Sequence, residues 1–165
     1  MKTLVLHYSL DGNTRLVAEA IAKAAGADTL ELKLAKAMPS SVPMRIVKGG
    51  YQVVSKQCPA LQPLDRKPGD YDMLFIGSPV WAGCYAPALR SFFARTPLAG
   101  RKTALFLCHG GGKGDAFGKL RAALAGNEIV AEIDFVSPLK KNPEAAVERA
   151  GQWAGETMAA LAGGA

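Results

Sequence analysis

From Thr3 to Tyr8 nearly every position is apolar or β-branched, the pattern of a parallel strand buried on both faces. The period then changes. Between about Thr14 and Ala25, the residues Leu16, Val17, Ala20, Ile21 and Ala24 fall on one face and predict an amphipathic helix. A second strand over roughly Thr29–Leu34 turns Leu30, Leu32 and Leu34 inward, and the polar residues between them suit a sheet edge. Further strands are predicted at Met73–Gly77, Thr103–Cys108 and about Ile129–Val136, the last again polar enough for an edge. Helices join them. Tyr85–Ala94 gathers Tyr85, Leu89, Phe92 and Phe93 on one side, and Ala116–Ala125 gathers Phe117, Leu120 and Leu124 behind Asp115 as N-cap. A last helix has Asn142 as N-cap and Pro143 at its first position. Its inward face is Ala146, Val147, Ala150, Trp153, Ala154, Met158 and Leu161, and its tail, Ala162–Ala165, is expected to fray.

Buried strands alternating with helices imply an α/β fold, a doubly wound five-stranded parallel sheet in the order 2-1-3-4-5. Ligands of such sheets sit beyond the carboxyl ends of the strands, beside the point where the winding reverses. The loops after the first, third and fourth strands are therefore expected to build a site. A length of 165 residues suits one domain, 1–165. Within it, 35–69 reads as a long excursion over one face, broken by Pro39, Pro43, Pro59, Pro63 and Pro68. A short helix around Val42–Ser55 fits the pattern, but the Gly49–Gly50 pair argues against a long one. Loops of this length are usually functional or mobile.

Composition narrows the classes of function. No apolar run approaches the ~20 residues that span a bilayer, which argues against membrane insertion. The N-terminal run turns polar without a small-residue cleavage site, so it reads as a strand and not a signal peptide. Cys58, Cys84 and Cys108 show no CxxC spacing, which points away from a disulfide framework or a cysteine metal site and toward a reducing cytoplasm. The net charge of +6 is scattered with some clustering around 33–67, and no basic helix interleaves aromatics. Acidic partners or anionic small molecules are expected in place of nucleic acid.

The chemistry concentrates in three loops. Ser9, Leu10, Asp11, Gly12, Asn13 and Thr14 leave the first strand and open the first helix. Small hydroxyl and amide residues around a glycine let backbone N–H groups converge on an anion, and the helix N-terminus adds partial positive charge. After the third strand, Pro79, Val80, Trp81, Ala82 and Gly83 form a sharp loop that presents an indole, either to cap the core or to stack on an aromatic ligand. After the fourth, His109, Gly110, Gly111, Gly112, Lys113, Gly114 and Asp115 allow close backbone approach. Among other residues, His7 reads as a satisfied core or strand-end histidine and not a ligand, Cys84 as an inert thiol and Cys108 as core. Tyr85 reads equally as a ligand contact or as packing under the third helix, and Tyr51 as a cover for the site.

In this order and spacing, the S-x-x-G-N-T, G-S-P-V-W-A-G and H-G-G-G-K-G-D loops resemble those of flavodoxin-like FMN-binding proteins of the short-chain flavodoxin type. The resemblance covers nearly the whole chain. It implies a non-covalent FMN whose phosphate lies in Ser9–Thr14, whose ring is flanked by Pro79–Gly83 with Trp81 as the stacking candidate, and whose other side is lined by His109–Asp115. Two departures stand out. Asp11 replaces the threonine usual in the family's phosphate loop, a charge that Arg15 could offset, and the third loop lacks an aromatic to cover the flavin. The main expectation is an electron-transfer flavoprotein serving a redox partner protein. One alternative is an NAD(P)H-dependent FMN quinone reductase with a quinone-like acceptor, and another is a non-redox scaffold that binds an anion or a protein.

Overall fold

The computed structural model describes residues 1–163. Gly164 and Ala165, the end of the tail expected to fray, lie outside the described residues.

Strand β1 (Thr3–Tyr8) is buried along its whole length, as its unbroken apolar pattern requires. It lies between β2 (Asp28–Leu32) and β3 (Met73–Trp81), pairing Leu6 with Leu30 on one side and with Ile76 on the other. Strands β5 (Lys102–His109) and β6 (Glu128–Val136) extend the sheet, which is parallel throughout in the order β2-β1-β3-β5-β6. This is the doubly wound order expected. The winding reverses between β1 and β3, so the crevice opens at their carboxyl ends.

Helices cover both faces. Helices α1 (Asn13–Ala25) and α6 (Pro143–Gly163) pack on one face over Val5, Phe75 and Phe106. Helices α2 (Val42–Val54), α3 (Pro87–Arg95) and α4 (Ala116–Ala123) take the other, over Leu6, Ile76 and Leu105. The side chain of Asn142 caps α6, accepting the Ala145 N–H at 3.0 Å, as its sequence position predicts.

Several expectations are corrected. β2 ends at Leu32, and Leu34 instead forms an isolated antiparallel bridge with Leu61. β3 continues to Trp81, turns through Ala82 and Gly83, both at positive φ, and returns as β4 (Cys84–Tyr85), with Val80 opposite Tyr85. Such a two-residue turn matches the twist of paired strands. Tyr85 is therefore a strand residue, packed edge-on against Phe93, and α3 begins only at Pro87.

Helix α2 fills almost the whole Val42–Ser55 stretch in which a short helix is expected, and it runs unbroken through Gly49–Gly50. The cost of glycine is offset by packing: a Cβ at position 49 would lie 3.1 Å from the Trp81 ring. Asp115 sits at the N-cap position of α4 but makes no side-chain cap bond. Val147 is 40% exposed, off the buried stripe of α6, and that helix continues through Ala162 and Gly163.

Candidate functional site

The first loop leaves β1 and enters α1 through Gly12, whose φ of +91° is open to glycine at little cost. Ser9 Oγ accepts the Arg15 N–H at 3.2 Å, and Asp11 Oδ1 accepts the Asn13 N–H at 3.3 Å. Asp11 thus folds back onto a donor that an incoming anion would use. Arg15 does not offset it, because its guanidinium pairs with Glu31 at 2.7 Å. Thr14 is buried, and its hydroxyl has no hydrogen-bond partner within the protein. A buried, unsatisfied donor at a helix N-terminus suits a phosphate ester.

Two clefts meet at Trp81. One, of about 220 Å³, is lined by Asp11 and Asn13, by Pro79, Val80 and Trp81, by Cys108, His109 and Gly110, and by Ser137 and Lys140. The other, of about 360 Å³, is bounded by Leu10, Val80, Trp81 and Ala82 together with Arg45, Ile46, Gly49 and Gly50 of α2. The indole is half-buried and stands edge-on to Tyr8, with centroids 5.8 Å apart. Burial pushes the Tyr8 phenol and the Cys108 thiol each up to about 12, so neither supplies an anion near neutral pH.

The third loop is held from behind. His109 Nδ1 accepts the Gly111 N–H at 3.2 Å, which leaves the proton on Nε2, 2.9 Å from Asp134. Lys113 reaches the other Asp134 oxygen at 2.6 Å. Burial raises the Asp134 carboxyl, but Lys113 and His109 outweigh it and hold the group below the usual carboxylate range. Gly114 packs on Gly83, where an added Cβ would meet the Gly83 Cα at 2.9 Å, and Lys119 Nζ donates to the Gly83 carbonyl at 3.0 Å.

The three loops therefore converge, but their residues divide by task. Leu10, Asp11, Asn13, Pro79, Val80, Trp81, Ala82, His109 and Gly110 line the clefts. Ser9, Gly12, Gly83, Gly111, Lys113 and Gly114 shape or brace the loops behind those walls, Thr14 is buried with its hydroxyl unpaired, and Gly112 and Asp115 are exposed outside both clefts. Tyr51 is not a cover: it lies in a separate groove with Pro39, Pro43 and Met44.

Lys140 has no sequence signal that separates it from other surface lysines. It reaches the first cleft because Ser137 N–H donates to the His109 carbonyl at 2.9 Å and Leu139 N–H to Asn13 Oδ1 at 3.0 Å. These bonds draw the short helix α5 (Pro138–Lys141) against the first loop.

The family model for NADPH-dependent FMN reductases matches residues 1–141. The chain belongs to this family. As an FMN reductase family member it is 28% identical over 145 residues to an NAD(P)H dehydrogenase (quinone) of Caulobacter vibrioides, a match covering 81% of this chain and 71% of that one. A second NAD(P)H dehydrogenase (quinone), from Gluconacetobacter diazotrophicus, is 30% identical over 95 residues, or 58% of this chain and 46% of its own length. Among solved structures, a Lactobacillus acidophilus flavoprotein in complex with FMN superposes with a TM-score of 0.72 at 23% identity, over 85% of this chain and 97% of that one. Oxidised flavodoxin 1 of Bacillus cereus gives 0.57 at 16% identity, over 96% and 97%. The flavodoxin-like fold is shared with both, and FMN is the flavin of the family. The family favours the reductase alternative over the electron carrier that is the main expectation from the sequence.

Proposed function

We propose that this protein is an NAD(P)H-dependent flavoprotein that holds FMN at the carboxyl ends of β1, β3 and β5 and reduces a quinone-like acceptor. The observation that carries the reading is the pair of clefts meeting at Trp81, one running back to the α1 N-terminus and the other open and largely apolar. FMN, when bound, supplies hydride acceptance from a nicotinamide and delivery to the acceptor. The backbone N–H groups at the start of α1 and the Thr14 hydroxyl would hold its phosphate, with Lys140 as counter-charge. Pro79, Val80 and Trp81 would flank the ring from one side, and His109 and Gly110 from the other. The glycines after His109 bring no aromatic cover, which leaves a face on which a nicotinamide or a quinone can stack. His109, with Nδ1 and Nε2 both engaged, positions this loop and relays no proton.

An absorption titration with FMN, followed by NADPH without air, tests the reading. A shifted flavin band, bleaching by NADPH and recovery of colour on adding a quinone are expected. Colour that persists under NADPH would instead assign a carrier needing a protein donor, and failure to take up FMN would overturn the proposal.

Asp11 and Lys140 set opposing charges at the phosphate end. A carboxylate roughly 5 Å from a phosphate costs about 3 kcal/mol at an effective dielectric near 20, before screening. Asp11→Thr, which also frees the Asn13 N–H, is expected to lower the FMN dissociation constant by about tenfold in a fluorescence titration. Lys140→Ala is expected to raise it by a similar factor while leaving riboflavin, which has no phosphate, unaffected. Equal losses for both flavins would place Lys140 away from the phosphate.

A further inference from the structure

The formal charge of +6 is concentrated in one segment. Residues 33–67 carry seven Lys and Arg against Asp65 alone, so they hold the whole net charge and the rest of the chain balances. Among the described residues, only Arg66 of the seven is ion-paired, to Asp28 at 3.3 Å.

The same segment leaves large apolar side chains in solvent: Val42, Met44, Ile46, Val47, Tyr51 and Val54 are all more than half exposed, Val54 at 79%. On α2, Met44, Val47, Tyr51 and Val54 follow at intervals of three, four and three residues, which makes one stripe along the helix. It lies opposite the face that buries Gly49, Gln52 and Val53. Lys48 flanks it and shares a shallow groove with Met44, Val47 and Tyr51. The helix carries no acidic residue.

An occupant of this face has to accept aliphatic side chains and neutralise cations together. A second copy meets only the first need, because two-fold pairing sets Arg45 and Lys48 against their own copies on a helix that carries no acidic residue. An acidic protein surface meets the second, but its charged groups would be desolvated against Val47 and Val54. A bilayer of anionic lipid meets both, with acyl chains for the stripe and headgroups for the lysines.

We propose that α2 and its basic flanks dock this protein on anionic lipid surfaces. Docking is peripheral: among the described residues, no helix is long and apolar enough to cross a membrane. Ile46 and Gly49, on the side of the same helix turned away from the stripe, line the cleft beside Trp81. The docking does not rest on the reductase reading.

The test is co-sedimentation of the full chain, with and without FMN, on phosphatidylcholine vesicles and on vesicles containing about one-third phosphatidylglycerol. Binding at least ~10-fold stronger to the anionic vesicles, lost at high salt, is expected. Val47→Glu and Tyr51→Glu, both at exposed positions, should each weaken it several-fold, and Val147→Glu on α6 should not. Circular dichroism and thermal unfolding of each variant exclude misfolding as the cause.

Equal or absent binding to the two vesicle types overturns the proposal. So does a dimer in sedimentation equilibrium that Val47→Glu dissociates, which would give the face to a second copy. Tight, Val47-dependent binding to polyglutamate without vesicle binding would give it to an acidic protein. All of these readouts are independent of electron transfer, so failure of the redox reading leaves the docking result intact.

Discussion

Gly77→Ala is expected to destabilise the chain by about 3 kcal/mol or more, at the upper end of what overpacking a core costs. Gly77 lies in the middle of the sheet, paired with His7 of β1 and Phe106 of β5. The Phe106 ring lies directly over its Cα: an added methyl would sit 2.0 Å from Cζ and 2.2 Å from Cε2. Phe106 is fully buried beside Phe75 and the helices α1 and α6, so the ring has no free space into which it could swing. The φ angle of Gly77 is not the issue, since it is not among the glycines at positive φ; the space is.

Urea unfolding checks this, with a lower midpoint at unchanged slope as the expected signature. Phe106→Leu alone leaves a cavity and is also destabilising, yet the double variant is expected to lose less than the sum of the two. A Gly77→Ala protein within about 0.5 kcal/mol of the parent would contradict the packing account.

His7 is expected to make the fold acid-sensitive. It is buried in β1, and neither ring nitrogen has a hydrogen-bond partner within the protein, so the expectation of a satisfied core histidine does not hold. Burial lowers its pKa from 6.5 to about 4, with Glu31 pulling the other way and Arg15 adding to the decrease. The unfolded chain takes up a proton below about pH 6.5 while the folded chain stays neutral down to about pH 4. Stability is therefore full above the unfolded pKa and falls as pH drops from 6.5 to about 4, by about 3 kcal/mol in all.

Carboxylates also titrate in this range, so the informative quantity is a difference. His7→Leu, of similar volume and without unsatisfied nitrogens, is expected to be at least as stable at pH 7 and to show a shallower acid slope. Parallel pH profiles for the two proteins would show that His7 finds a proton-accepting partner in solution.

Much of the architecture was legible along the chain. An unbroken apolar run from Thr3 to Tyr8 means a strand covered on both faces, and a period near 3.6 beside it means a helix on one of those faces. These two local signals determine a doubly wound sheet, and the sheet places the loops after β1, β3 and β5 around one crevice. Nine of the residues in those loops line the clefts. The pattern is local chemistry, and so a single sequence carries it.

Packing decided the rest. Propensity set Gly49–Gly50 against a long helix, yet α2 runs through the pair, with Trp81 packed so close that a Cβ at position 49 would lie 3.1 Å from its ring. Val147 fits the apolar period of α6, yet the buried stripe of that helix runs through Ala146, Ala150, Ala154 and Thr157 and leaves it outside. Lys140 enters the cleft through hydrogen bonds from Leu139 to Asn13 and from Ser137 to His109, contacts between residues far apart in sequence. Arg15 is drawn away from Asp11 by Glu31 on the neighbouring strand. Periodicity and turn residues act over a few positions and can be read in order, whereas these outcomes depend on which side chains meet once the sheet has closed, and only the tertiary structure sets that.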